Sequence, residues 1–362
     1  MGAYDADPRW GEVGRVLVEH STQVRPGERV MIAMGEIDSY PLARGVFEAC
    51  VDSGAYPQVQ FLSEELRHSI LDRGDDGQLA WVPEIEAYGM QWADVYIALR
   101  GAFDLDIHAA IPSARLALNQ AAQGRISSLR WQNTRWSLVR VPNQAFADQA
   151  GVSLERVTEM FFAGCLLDWG TAARDWGQWV DRAVGGRMIE IHGRDTDLRF
   201  SIEGRKWVVA DGRTNMPDGE LMTAPITETV NGYISFENPA VLGGRKMHDL
   251  RLRWEKGVLV EASASTHEDY LRSVLATDAG ATLIGEFGIG TNPFIDLVCD
   301  DILSDEKING TAHIALGRAY PQCGGLNNSA IHWDIVKDLR AEGAVLLDGR
   351  RIVDAGGLVS YR

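Results

Sequence analysis

The chain has 362 residues, 45% hydrophobic and 24% charged, an ordinary globular composition with length for about two domains of roughly 150 residues each. Its 35 basic against 51 acidic residues give a formal net charge of -16, which repels nucleic-acid phosphates and anionic membranes and argues against both as partners. No apolar run approaches the ~20 residues needed to span a bilayer, and Cys50, Cys165, Cys299 and Cys323 form no C-x-x-C pair.

The opening MGAYDADPRWGE is acidic and leads into no apolar core, so it does not read as a signal peptide. Ala6 stands where a myristoylation signal has Ser or Thr, and the expected compartment is the cytoplasm. WGEVGRVLVEHSTQV follows, with Val13, Val16 and Leu17 on one helical face, and Arg25-Pro26-Gly27 ends it. RVMIAMG reads as a buried strand, and PLARGVFEACVDSGA as a helix closing at Gly54. PQVQFL, ADVYIALRG and WSLVRVP are further strands separated by helix-length segments. This alternation predicts a parallel sheet with helices on both faces. The junction MGEIDSYP has no G-x-G-x-x-G and the chain has no Walker loop, so a nucleotide is not expected.

VSLERVTEMFFAGCLLDWGTAARDWGQWVDRAVGG reads as helical, with Trp169, Trp176 and Trp179 near helix spacing and suited to core or interface packing. Gly185-Gly186 marks the expected boundary between an α/β scaffold domain, 1–185, and an antiparallel-rich α+β metal-binding domain, 186–362. In the second, RMIEIHG, TDLRFSIEG, KWVVADG, TVNGYISF, DLRLRWEKG and VLVEASAS are short strands punctuated by Gly turns. THEDYLRSVLATD is a helix, with Thr266 as N-cap and Glu268 and Asp269 at its positive end.

The chemistry concentrates in GEFGIGTNPFIDLVCDDILSDEKINGTAHIALGRAYPQCGGLNNSAIHWDIV, residues 285–336. In His332-Trp333-Asp334 the imidazole and the carboxylate leave one face of a strand together. These ligand types suit Zn, Mn, Co or Fe. Glu286 and His313 lie in the same Gly-rich run, and Glu220 follows a turn in NMPDGELMTAP.

Three blocks carry a resemblance. NMPDGELMTAPITETVNGYISF (215–236), TDAGATLIGEFGIGTNP (277–293), and GTAHIALGRAYP with NNSAIHWDIV resemble the thermophilic-type metallo-aminopeptidase family, the aminopeptidase T and S kind. The resemblance implies metal ligands at Glu220, Glu286, His313, His332 and Asp334. It also implies a catalytic Tyr320, seven residues after the first histidine, and a homodimer. The family continues H-x-D with an apolar, glycine-containing end, whereas here Lys337 and Asp338 follow Ile335-Val336.

Five ligands exceed what one open tetrahedral zinc takes, and suit a pair of divalent ions (Zn, Co, Mn or Mg). The expected reaction is hydrolysis of the N-terminal residue of a peptide, or of a small-molecule substrate. Glu220 or Glu286 would move the water's proton and Tyr320 would donate to the oxyanion. The alternative is a mononuclear Fe(II) ring-cleaving dioxygenase that uses His313, His332 and Asp334. A third reading is a binding protein with a degenerate site. His20, His68, His108, His192, His248 and His267 are expected to stand without a second ligand. Cys323 is expected in an accessible Gly-rich loop with no catalytic partner.

Overall fold

The computed structural model describes residues 7–354 and 356–359. The chain-start reading, Ala6 included, lies outside the described residues. Two compact units divide the chain. The first takes residues up to 166 together with 212–217, and the second takes 167–211 and the chain from 218 onward. The sequence boundary after 185 and this division differ by one helix and a short excursion.

In the first unit, α1 (Arg9–Arg15) runs into a π-turn at Val16–Ser21 and leads to β1 (Arg29–Gly35). Then come α2 (Tyr40–Asp52), β2 (Tyr56–Leu62), α3 (Glu64–Arg73), α4 (Asp76–Ala80) and α5 (Glu84–Trp92). The unit continues with β3 (Val95–Gly101), α6 (Ser113–Asn133), β4 (Arg135–Val141), α7 (Gln144–Ala150) and α8 (Leu154–Cys165). The strands pair in parallel in the order β2-β1-β3-β4, as their apolar runs predict.

The long tryptophan-bearing segment is two helices. Leu166 ends α8, and Asp168 restarts the chain as α9 (Trp169–Ala183) by accepting the Thr171 N–H at 3.0 Å. The break coincides with the division between units. Trp169, Trp176 and Trp179 are buried. Trp169 stacks edge-on to Trp176 and Trp179 to Trp207, so the three are committed within the second unit and offer no free surface for association.

The second unit is antiparallel. Its strands are β5 (Met188–Gly193), β6 (Thr196–Ser201), β7 (Val208–Ala210), and, after β8 (Asn215–Met216) of the first unit, β9 (Glu220–Thr223) and β10 (Asn231–Ser235). A ribbon of β11 (Ala240–Leu242) and β12 (Arg245–Met247) precedes β13 (Arg251–Glu255) and β14 (Val258–Ser263). Next are α10 (Glu268–Leu275), β15 (Ile284–Gly290), α11 (Ile302–Asp305), β16 (Thr311–Gly317) and β17 (His332–Asp338). The unit closes with β18 (Gly343–Leu347), β19 (Arg350–Asp354) and β20 (Gly357–Leu358). β8 joins the parallel sheet beside β4.

One sheet runs β14-β13-β10-β6-β5-β18-β19-β20 and another β17-β16-β15-β9-β7. Phe200 of β6 meets Phe287 of β15 edge-on at 5.4 Å. Phe287 in turn meets Trp207 at 6.2 Å, so one face of β15 is given to core. Burying a ring of this size contributes roughly 1.5–3 kcal/mol. The face of β15 carrying Glu286 and Gly288 is the opposite one.

Thr266 does not cap α10. Its hydroxyl donates to the Lys246 carbonyl and accepts from His248 N–H, each at 3.0 Å. The cap position falls to His267, at φ 55°. Glu268 and Asp269 do occupy the first turn, as expected. Among the described residues no helix is long and apolar enough to cross a membrane.

Candidate metal centre

Period-two alternation and antiparallel register gather the candidate residues on one face of the β17-β16-β15-β9-β7 sheet. Glu220 opens β9 and pairs with Gly290, while His313 of β16 lies opposite Gly288 of β15. Asp334 and His332 of β17 lie opposite Ala315 and Gly317. Glycine and alanine therefore alternate with the functional side chains. A Cβ at Gly288 would fall 2.2 Å from His313 Nε2, so only glycine leaves the ring its place.

Glu286 stands between the two imidazoles. Its Oε1 is 3.7 Å from His313 Nε2, and its Oε2 is 3.4 Å from His332 Nε2. Glu220 Oε2 approaches His313 Nε2 at 3.3 Å, and Asp334 Oδ2 approaches His332 Nε2 at 3.2 Å. His332 Nδ1–H donates to the Arg318 carbonyl at 2.7 Å, which fixes the tautomer and leaves Nε2 turned to the carboxylates. Tyr320 follows β16, its ring 4.8 Å from that of His332. The structure thus brings all six residues singled out in the sequence into one cluster.

Three charged residues join the cluster that the sequence reading did not single out. Lys307 is fully buried, its Nζ donating to Glu220 Oε1 at 2.7 Å and Glu306 Oε1 at 2.6 Å, with Asp218 Oδ1 at 3.3 Å. The run Asp305-Glu306-Lys307, set just before an apolar strand, was the available signal. Three charges in a row there read as a solvated turn, yet all three are buried.

The electrostatics follow from burial and crowding. Burial pushes the Glu286 carboxyl up, and Asp334 and Glu220 add to this. Burial lifts Glu306 to about 8. Burial opposes charge on His313, but Glu286 and Glu220 raise it to about 9. His332 likewise reaches about 9 against burial, through Asp334. Burial, then Glu286 and Asp334, raise the Tyr320 hydroxyl, so it stays protonated and able to donate.

The donor set fits divalent metal. Glu220 Oε2, Glu286 Oε2, both His313 ring nitrogens and Asp334 Oδ1 are buried without a hydrogen-bond partner, an arrangement that calls for a ligand. Ligand atoms converge within 4.8 Å in three overlapping groups: Glu220, Glu286 and His313; Glu286, His332 and Asp334; and Glu306, His313 and Asp334.

The departure after Val336 lies outside the site. Lys337 takes the opposite face of β17, where its buried Nζ donates to the Arg194 and Ser235 carbonyls and to Glu237. Cys323 is buried rather than accessible, because its loop folds back on β9 and its thiol lies 4.0 Å from the Met222 carbonyl. His68 and His108 do not stand alone. Their Nδ1 atoms lie 3.3 Å apart, and Glu64 sits 2.9 Å from His108 Nε2.

Residues 7–353 match the family described as thermophilic metalloprotease (M29). Aminopeptidase T of Thermus thermophilus is 27% identical over 86% of this chain and 85% of its own length. Aminopeptidase 2 of Geobacillus stearothermophilus is 23% identical over 93% and 94%. Among solved structures, wild-type AmpT from Thermus thermophilus superposes with a TM-score of 0.84 at 24% identity, covering 97% of this chain and 99% of that one. A 2,5-dihydroxypyridine dioxygenase from Pseudomonas putida reaches 0.58 at 14% identity, covering 98% of each. These likenesses fit the fold expected from the sequence, a parallel α/β region followed by an antiparallel-rich one.

Proposed function

The chain belongs to the thermophilic metalloprotease family, and on that premise we propose that it is a dinuclear metallo-aminopeptidase that releases the N-terminal residue of peptides. The observation that carries the two-ion reading is the position of Glu286, with one oxygen toward each imidazole. Charge supports it. Asp218, Glu220 and Glu306 surround the ammonium of Lys307, and Glu286 and Asp334 complete a set of five carboxylates beside the two imidazoles. Bound cations would hold all five carboxylates ionised and both imidazoles neutral, against the shifts these groups show without them. The four negative charges left beside Lys307 then equal the charge of two divalent cations.

Glu220, Glu286 and His313 would hold one ion, and Glu286, His332 and Asp334 the other, with Glu286 shared. Bound divalent ions such as zinc would polarise the scissile carbonyl, acidify a water, and accept a neutral amino terminus. The chain's own groups do the rest. Glu220 or Glu286 takes the proton of the attacking water and returns it to the leaving amine. Lys307 holds Glu220 Oε1 and so leaves Oε2 as its working oxygen. The protonated Tyr320 hydroxyl donates to the developing oxyanion. A homodimer completes the reading, as the family resemblance implies.

The ring-cleaving alternative is less well supported. It needs His313, His332 and Asp334 around one iron, and among the described residues these three do not form one group of converging ligand atoms. A panel of aminoacyl anilides and dihydroxylated aromatic rings, offered to metal-reconstituted protein, tests the proposal. Anilide hydrolysis without ring cleavage is expected, and ring cleavage with iron alone would overturn it.

A further inference from the structure

The first unit contains a cavity of about 750 Å³ lined entirely by its own residues, within the range of small-molecule sites. It sits at the carboxyl ends of the parallel strands, where Gly35 closes β1, Leu62 closes β2 and Gly101 closes β3. The chain passes from β1 to β2 on one side and then to β3 on the other side of β1. That reversal is the place where open α/β sheets bind ligands.

The junction after β1 is built unusually. Glu36 adopts φ 62° and ψ 149°, a conformation that costs a side-chain-bearing residue about 1–3 kcal/mol and clusters at ligand sites. The turn aims its carboxylate at the start of α3, where it accepts the Glu64 N–H at 2.7 Å and the Ser63 hydroxyl at 3.2 Å. A carboxylate thus fills the helix end where other sheets of this kind seat a phosphate, so that end of the cavity disfavours anions, while Arg67 and Arg100 line the wall elsewhere.

Two of the cavity's acids are satisfied. Glu36 is held as described, and Glu64 meets Arg67 at 3.1 Å and His108 at 2.9 Å. Glu86 on α5 differs. It is half-buried in the wall, where burial raises its carboxyl and Gln60 works against that rise, and it forms no ion pair among the described residues. Trp81, Tyr96, Met90 and Phe103 give the same cavity aromatic and apolar surface.

We propose that this cavity is a second ligand site that takes a small organic amine, the ammonium on Glu86 and the apolar body against Trp81, Tyr96 and Met90. It is independent of the metal-centre reading. Free amino acids and simple alkylamines share this chemistry, and the choice of probes separates them.

The test is calorimetric titration of the full chain with 3-methylbutylamine, L-leucine and 4-methylpentanoate. The titrations are repeated on Glu86→Gln, Ser127→Trp and Asp334→Ala. Ser127 is an exposed lining residue on α6, so a tryptophan there blocks the cavity without entering the core. One amine site per chain is expected in Asp334→Ala, and the same site, beside any binding at the metal centre, in the wild type. Its affinity should fall about tenfold or more in Glu86→Gln, the scale for losing one charge-assisted bond, and binding should be absent in Ser127→Trp. L-Leucine following the same pattern assigns the site to amino acids, and 3-methylbutylamine alone doing so assigns it to simple amines. The proposal is overturned by no heat from either amine at millimolar concentration, by equal binding of 4-methylpentanoate, by affinity unchanged in Glu86→Gln, or by amine binding lost only in Asp334→Ala. The Asp334→Ala arm leaves the cavity intact, so failure of the metal-centre reading would not imitate failure here.

Discussion

Gly288 and His313 face each other across the β15–β16 ladder, and the imidazole occupies the space that any side chain at 288 would take. The glycine is part of the site although it carries no ligand atom. Gly288→Ala should displace the ring and weaken metal affinity about 10–100-fold, the scale for disturbing a ligand's support. Chelator competition measures this, and circular dichroism should show the sheet retained.

His332→Ala and Asp334→Ala should each abolish metal-dependent turnover with the fold largely intact. Each removes an atom from the group formed with Glu286 and so distorts the ion's geometry. Metal content and anilide hydrolysis check this together. Near-normal values in either variant would put the site elsewhere.

Tyr320 lies against His332 with a hydroxyl that burial keeps protonated. If it donates to the oxyanion, that bond forms chiefly in the transition state. Tyr320→Phe should then lower kcat roughly a hundredfold with little change in KM or metal content. A ring that serves only packing predicts a kcat within a few-fold of normal.

Lys307 is the counter-charge for Asp218, Glu220 and Glu306 in a fully buried setting. Lys307→Met leaves those carboxylates facing one another, and the metal-free protein should lose about 3–5 kcal/mol of stability, read from its denaturation midpoint. Divalent metal should restore part of the loss, because a cation relieves the same repulsion. Stability unchanged in the variant would mean that the ammonium is not what balances the cluster.

The ligand-bearing strands were legible because each combines period-two spacing with small residues, as in GEFGIG and TAHIALG. The central parallel strands β1 and β3 were legible as near-continuous apolar runs, and RVMIAMG forms β1 from end to end, whereas the edge strand β2 carries Gln58 and Gln60. What stayed hidden depended on partners distant in sequence. Lys307 is buried because Asp218 and Glu220, just before and at the start of β9, meet it, and the setting of Asp305-Glu306-Lys307 before an apolar strand was the one hint of that. The helix break at Leu166 was masked by apolar residues that continue the helical pattern, although Asp168 marks the new N-cap. Thr266 had the composition of a cap, but His248 and Lys246 claimed its hydroxyl.

The central claim is the pair of ions shared through Glu286, and metal stoichiometry tests it most directly. Protein stripped with chelator, reconstituted with zinc, cobalt or manganese and freed of excess should retain two ions per chain by elemental analysis. Hydrolysis of an aminoacyl anilide should reach its full rate only with the second equivalent. One ion per chain, with full activity at the first equivalent, would contradict the account.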